Sequence, residues 1–295
     1  MQIHQLEYFL AVASERSFTH AADQVRVVQS AVSAGIKQLE EDLGMPLFER
    51  RNRDVRLTAA GEALLPLARQ VIDDLRAARE AVDAVRGTVR GSVVLGTIMH
   101  MGKVDLTGVL STLAADYPDV VVKLRQTIQG TRTSLEEVRA GTLDLALVSA
   151  GEPSLRGFEY VELYAEPMVF VCPGGHRLDG LAVVDPREAA AEPFVSFPEG
   201  WGNRTEFERA LHALGLTRTI RTEVVSFTLA AELVQAGLGV AVLPVSATVD
   251  LPGVHVAPLA GLDLAWRIQL VWSPARPLSA AATVLVEAFC QRTGD

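Results

Sequence analysis

The chain holds only two cysteines in 295 residues, Cys172 and Cys290, so neither a disulfide framework nor a Cys-rich zinc site is available to it. They fall on what read as a strand (MVFVC) and the last helix (TVLVEAFCQ), and are expected to be buried, inert thiols and not a redox pair on one deformable segment. No apolar run approaches the ~20 residues that a membrane-spanning helix needs. The opening MQIHQLEYFLAVASERS lacks the basic region and small-residue cleavage site of a secretory signal, so a cytoplasmic location without a membrane partner is expected. Positive charge is scarce as well: 27 Lys and Arg face 36 Asp and Glu, a net charge of −9. Taken alone, this argues against a nucleic-acid partner, because affinity for phosphate comes from local positive charge. Catalytic signatures are missing too. G-x-S-x-G, H-E-x-x-H and the Walker A loop do not occur, Gly237-Leu-Gly239 follows a helical stretch instead of opening one, and Glu136-Glu137 sits on an ordinary amphipathic helix. No enzyme activity, no cofactor and no metal are therefore expected.

What the sequence does contain is local. Arg50, Arg51, Arg53 and Arg56 lie within seven residues with Asp54 the only acid among them, whereas acids collect elsewhere, as at Glu40, Glu41 and Asp42. A basic hairpin on an acidic body orients one end towards DNA and repels DNA from the rest. Just upstream, Val32, Ile36, Leu39 and Leu43 recur at i, i+4, i+7 and i+11, while Ser30, Ser33, Ala34 and Lys37 mark a second face of the same helix. One face packs and the other is free to read base edges. Before it, Leu6, Phe9, Leu10 and Ala13 repeat with helical spacing and Ser17-Phe18-Thr19 breaks the pattern. Thr19 is placed to N-cap a second helix carrying Ala21, Ala22 and Val25, Arg26-Val27-Val28 is the turn, and Gly44 follows the recognition helix as a left-handed cap.

The order Phe-x-x-Val, Ser-Phe-Thr-x-Ala-Ala, Gln-Ser-Ala-Val-Ser-x-x-Ile-Lys-Gln-Leu-Glu, Leu-Gly-x-x-Leu-Phe-x-Arg and Leu-Thr-x-Ala-Gly-Glu resembles the LysR-type transcriptional regulators. The resemblance implies a winged helix-turn-helix with Thr19, Gln29, Ser30, Ser33, Ala34 and Lys37 towards double-stranded promoter DNA. It also implies Arg51 and Arg53 on the wing, near phosphates or the minor groove. The chemistry agrees: Gln suits the adenine edge, Ala or a Ser methylene the thymine methyl, and Lys reaches guanine or phosphate. One departure is Val28, where the family usually has Ser. Val cannot accept the first-turn N–H groups, and a lost N-cap costs ~0.5–2 kcal/mol.

After Thr58, placed to N-cap, ALLPLARQVIDDLRAAREAVDAVRG reads as one long helix, with Pro66 predicting a kink near its start. Leu64, Ala68, Val71, Leu75, Ala78, Val82 and Val85 follow the 4-3-4-3 spacing of a coiled-coil seam. Charged flanks from Arg69 to Asp83 favour pairing between chains over packing within one. Leu64, Val71, Leu75 and Val82 are the expected dimerisation residues.

From Ser92 the pattern becomes short β-rich runs alternating with helices, the form of a parallel sheet covered on both faces. Strands read at SVVLGTI, VVVKLRQT, LDLALVS, PMVFVC, RTEVVS, VAVLP and WRIQLVW, and helices around 106–117, 133–140, 205–214, 227–236 and 279–291. The chain passes to a second lobe near Tyr164 and returns at Trp266–Trp272. This part resembles the regulatory domain of the same family, itself similar to periplasmic solute-binding proteins. The resemblance implies an effector cleft at Thr97, Met99, His100, Thr127, Trp201, Asn203, Ser226 and Phe227. Thr97 and Ser226 read as strand-to-helix transitions, where free N–H groups make an anion site.

The expected fold class is α+β and multi-domain: a winged helix-turn-helix at 1–58, a linker and dimerisation helix with hinge at 59–90, and a two-lobed α/β effector-binding domain at 91–295. Lobe I is expected at about 91–162 and 266–295, lobe II at about 163–265. The implied function is sequence-specific DNA binding whose promoter activity is modulated by a small-molecule effector, a small organic anion, between the lobes. Implied partners are promoter DNA, the effector and the chain itself as dimer and then homotetramer. RNA polymerase is a further candidate partner.

Overall fold

The computed structural model describes residues 1–51, 54–85, 89–127, 129–249 and 251–292, in two compact units, Met1–Thr88 and Val89–Asp295. The first unit contains α1 (Ile3–Glu15), α2 (Phe18–Gln24), α3 (Gln29–Leu43), a hairpin of β1 (Phe48–Arg51) and β2 (Asp54–Leu57), and α4 (Ala59–Val85). Leu6, Phe9 and Val12 of α1 bury themselves against Phe18, Ala21 and Ala22 of α2 and Val32, Ile36 and Leu39 of α3. The small side chains at 21 and 22 permit this close approach. Gly35 does the same for α3 and α1, since a Cβ there would stand 2.7 Å from the Tyr8 ring.

Three details differ from the sequence reading. Ser17, and not Thr19, caps α2: its hydroxyl accepts the His20 N–H at 3.3 Å, because Thr19 already lies inside the helix and is exposed. Leu43 does not join the packing face; it is exposed at the end of α3, where Gly44 turns the chain away at φ 72°. Leu64 and Ala68 are not spare seam positions. Ala68 is buried in this unit's own core, with Leu64, Leu65 and Ile72 packed against it. Farther along α4 the apolar side chains leave the core, so Val71 and Val82 stand 43% and 60% exposed and Leu75 is half-buried.

The second unit runs β3 (Gly91–Thr97), α5 (Leu106–Asp116), β4 (Val120–Gln126), α6 (Thr131–Ala140), β5 (Leu145–Val148), α7 (Glu152–Leu155) and β6 (Glu159–Pro173). It continues through α8 (Pro186–Ala190), β7 (Pro193–Ser196), α9 (Gly202–Ala213), β8 (Thr219–Glu223), α10 (Phe227–Gln235) and β9 (Ala241–Pro244). A 3-10 turn (Val245–Thr248), β10 (Val254–Ala257), β11 (Ala265–Trp272) and α11 (Ala280–Arg292) complete it. The main sheet has the order β10-β6-β11-β5-β3-β4, with β9 also on β6, and β7 pairs β8 separately.

The sheet is mixed, not parallel as expected. Among the described strand pairs β3–β4, β3–β5 and β7–β8 are parallel; β11 runs antiparallel to β5 and β6, and β9 and β10 antiparallel to β6. The cause is the 15-residue β6. Residues 159–167 of β6 pair with the returning β11, and 168–173 with β9 and β10. Two antiparallel strands therefore cross between the two ends of the sheet, and their register breaks between Ile268 and Gln269. The polar first half of β6, EYVELYAE, and the four-residue β7 and β10 gave no strand signal.

Candidate functional site

In the first unit α3 exposes Gln29, Ser30, Ala34 and Lys37, with Ser33 half-buried. Gln29 donates from Nε2 to Ser33 Oγ at 2.8 Å, one turn along, which fixes the amide and leaves its Oε1 outward as an acceptor. Lys37 meets Glu41 at 3.6 Å, an exposed pair worth little. Arg51 ends β1 opposite Asp54, but its side chain and the whole of Arg53 lie outside the described residues. Val28 precedes α3 with no side-chain cap, and neither Gln29 nor Ser30 substitutes for one among the described contacts.

Glu40 counts by sequence towards the acidic body, yet its Oε1 accepts the N–H groups of Leu47 at 2.7 Å and Phe48 at 3.3 Å. Charge-assisted bonds thus tie the helix to the first strand of the wing. Sequence spacing could not reveal this, because the contact needs the chain reversal at Gly44.

In the second unit a cavity of about 190 Å³ collects residues from three helix beginnings: Gly130 and Thr131 at α6, Trp201 and Gly202 at α9, and Ser226, Phe227 and Thr228 at α10. Met99 and His100 after β3, Thr127 after β4 and Trp266 of β11 close it. The first amides of a helix lack intrahelical partners and carry the positive end of its dipole. No Lys or Arg is among the cavity's described lining residues. The indole N–H groups of Trp201 and Trp266 are buried without an acceptor among the described residues. Trp201 stacks on Phe197 at 5.6 Å, and Phe227 stands edge-on to Trp266 at 5.1 Å. The site is therefore an apolar slot with neutral donors around it.

Six of the eight expected residues line this cavity: Met99, His100, Thr127, Trp201, Ser226 and Phe227. Thr97 does not. It is buried at the end of β3 with its carbonyl accepting the Thr127 N–H at 2.9 Å, and Asp105, not Thr97, caps the helix that follows. Asn203 is also buried outside the lining, two positions past Trp201 on a helix whose successive side chains point about 100° apart. Gly130 and Gly202 were missed, since a glycine advertises no chemistry. Their role is close approach: a Cβ on Gly130 would stand 2.6 Å from the Trp201 ring, and one on Gly202 would collide with the Ser149 carbonyl.

His100 is held by a buried polar group. Its Nε2 lies 2.8 Å from Ser246 Oγ and 4.0 Å from Glu166 Oε1. Ser246 donates its hydroxyl to Glu166 Oε1 at 2.6 Å and its N–H to Oε2 at 2.7 Å. Burial holds the imidazole below its ordinary pKa, opposed by the Glu166 charge. Behind the cavity, Arg218 lies over the Phe194 and Phe207 rings at 4.8 and 5.0 Å and donates to Ser196 at 2.8 Å. Burial pushes its pKa down to about 10, so it stays charged near neutrality. Arg204 donates to the Phe197 carbonyl at 2.8 Å and to Glu208 at 2.8 Å, fixing from behind the loop that carries Trp201.

Cys172 is wholly buried and its thiol is pushed up to about 11, chiefly by burial. Cys290 is exposed, which corrects the expectation of two buried thiols; the last helix turns that position outward. Among the described residues no helix is long and apolar enough to cross a membrane.

Residues 3–62 match the profile described as bacterial regulatory helix-turn-helix protein, lysR family, and residues 86–293 that of the LysR substrate binding domain. The HTH-type transcriptional regulator ShiR of Corynebacterium glutamicum (strain R) is 36% identical, over 82% of this chain and 82% of its own. A full-length OxyR point variant from Pseudomonas aeruginosa superposes with a TM-score of 0.76 at 26% identity, over 98% of this chain and 94% of its own. CbnR in complex with its target DNA shares the fold, with a TM-score of 0.63 at 24% identity over 99% of this chain and 100% of that one.

Proposed function

The chain belongs to the LysR family of bacterial transcriptional regulators, and on that premise we propose that it reads promoter DNA through α3 and is modulated by a small organic anion. The anion sits in the cavity at the starts of α6, α9 and α10, between lobe I (about 91–162 and 266–295) and lobe II (about 163–265). The observation that carries this reading is the convergence of three helix beginnings and two indole N–H groups without described partners on a cavity whose described lining holds no cation. A ligand acts by favouring one lobe arrangement over another, and its effect is limited by that difference in affinity.

Assembly belongs to the same reading. Leu67, Val71 and Val82 stand exposed on α4, and Val121 and Leu124 stand exposed on the edge strand β4. We assign the first face to a dimer and the second to its growth into a homotetramer in the cytoplasm, and RNA polymerase is a further candidate partner. The effector reading is tested by thermal-shift measurement with acetate, benzoate and sulfate. Anions should raise the unfolding midpoint of the wild type, less so for Ser226→Ala and Trp201→Phe, and equally for Thr97→Val. Stabilisation that ignores Ser226 and Trp201 would move the site elsewhere.

A further inference from the structure

We infer that the cavity takes up a proton together with its anion, on His100, so that effector affinity depends on pH. This rests on the anion reading above and goes beyond it. The described wall supplies no permanent positive charge, and His100 is, among the described lining side chains, the one able to acquire a charge near neutrality.

Its surroundings suit an imidazolium. β6 contributes Glu166, whose side chain is 4% exposed and 4.0 Å from Nε2; Tyr164, a hydrogen-bond partner of Glu166, is kept protonated by burial and by the Glu166 charge. The 3-10 turn contributes Ser246, which donates to Glu166 through both its hydroxyl and its N–H, leaving a hydroxyl lone pair towards Nε2. α10 and β11 contribute only the Phe227 and Trp266 rings, at 5.1 and 6.4 Å. Glu166 is thus the only ionic group among the described neighbours of the ring.

On its own, burial outweighs Glu166 and the ring is neutral near pH 7. An anion on the cavity side adds a second negative charge, and the imidazolium, its proton drawn from solvent, then lies between two anions. Binding of the anion and of the proton reinforce each other by the same factor.

The test is titration of the full-length protein with acetate, benzoate and sulfate, followed by tryptophan fluorescence since Trp201 and Trp266 line the cavity, between pH ~5 and ~8. Kd should fall by up to about tenfold per unit of decreasing pH while His100 titrates. Calorimetry in buffers of different ionisation enthalpy should count up to about one proton taken up per anion. Sulfate stays fully ionised throughout, so its slope separates a proton on the protein from a carboxylic acid that binds protonated. His100→Gln should bind with a flat pH profile, and Glu166→Gln should reduce proton uptake. Tight binding of anions at constant affinity across this range would overturn the proton coupling alone. Absence of binding by all three anions would overturn the anion reading and this inference with it.

Discussion

Glu40 on α3 accepts the amide of Leu47 at 2.7 Å, across the turn that leads into the β1–β2 hairpin. Helix and hairpin are thereby tied together by a carboxylate that a charge count would assign to solvent. Glu40→Ala leaves the Leu47 and Phe48 amides without this acceptor and should destabilise the first unit by about 1–3 kcal/mol. Glu40→Gln should lose less. Denaturant melts give the stability, and DNA titration across salt tests the tie: a loosened hairpin flattens the salt slope, because fewer phosphates are engaged at once. An unchanged slope and midpoint for Glu40→Ala would leave the bond without consequence.

Gln29 and Ser33 are coupled by the 2.8 Å bond between their side chains. Gln29→Ala should cost about 1–3 kcal/mol on a specific site and little on random DNA. Ser33→Ala frees the Gln29 amide and should cost a part of the same energy, so the double variant should lose less than the sum of the two. Strictly additive losses would show that the bond does not prepare Gln29 for reading.

Because Val71 is 43% exposed, its replacement by Asp should barely affect the isolated unit. If α4 pairs with a second chain, Val71→Asp puts an unpartnered charge into an apolar seam. Sedimentation should then show dissociation, with DNA affinity lost in step because each half-site supplies part of the binding. Ala68→Asp, by contrast, should unfold the unit itself, since Ala68 is 1% exposed in the core. A Val71→Asp protein that stays associated would remove this stretch from the interface.

The thiol of Cys172, pushed up to about 11, is a poor nucleophile. A thiol reagent at mildly alkaline pH should label Cys290 alone in the folded protein and both cysteines after unfolding, and peroxide should leave DNA affinity unchanged. The sign of the pH effect follows from the raised value. The unfolded thiol ionises near pH ~8.5, so folding stability is intact below that and falls as pH climbs towards about 11. Two fast-reacting thiols in the native protein would contradict the burial.

Spacing along the chain suffices for the packed and exposed faces of α3. The period of Val32, Ile36 and Leu39 dictates which face is buried, and hence that Gln29, Ala34 and Lys37 are exposed. Ser226 was legible for the same reason: its hydroxyl caps the helix it opens, accepting the Leu229 N–H at 3.3 Å within three residues. Contacts that depend on chain reversals had to wait for the packed chain. The strand β6 had to be long enough to pair with β11 at one end and with β9 and β10 at the other before the mixed sheet existed. Leu64 and Ala68 share the seam's spacing with Val71 and Val82, yet the first pair packs on its own core and the second is exposed, because periodicity says which side of a helix is apolar and not what meets it. Glu166, Ser246 and His100, drawn from a strand, a turn and a loop, become one buried group only when β6 and the turn after β9 come together. No spacing along the chain encodes a contact between residues 146 positions apart.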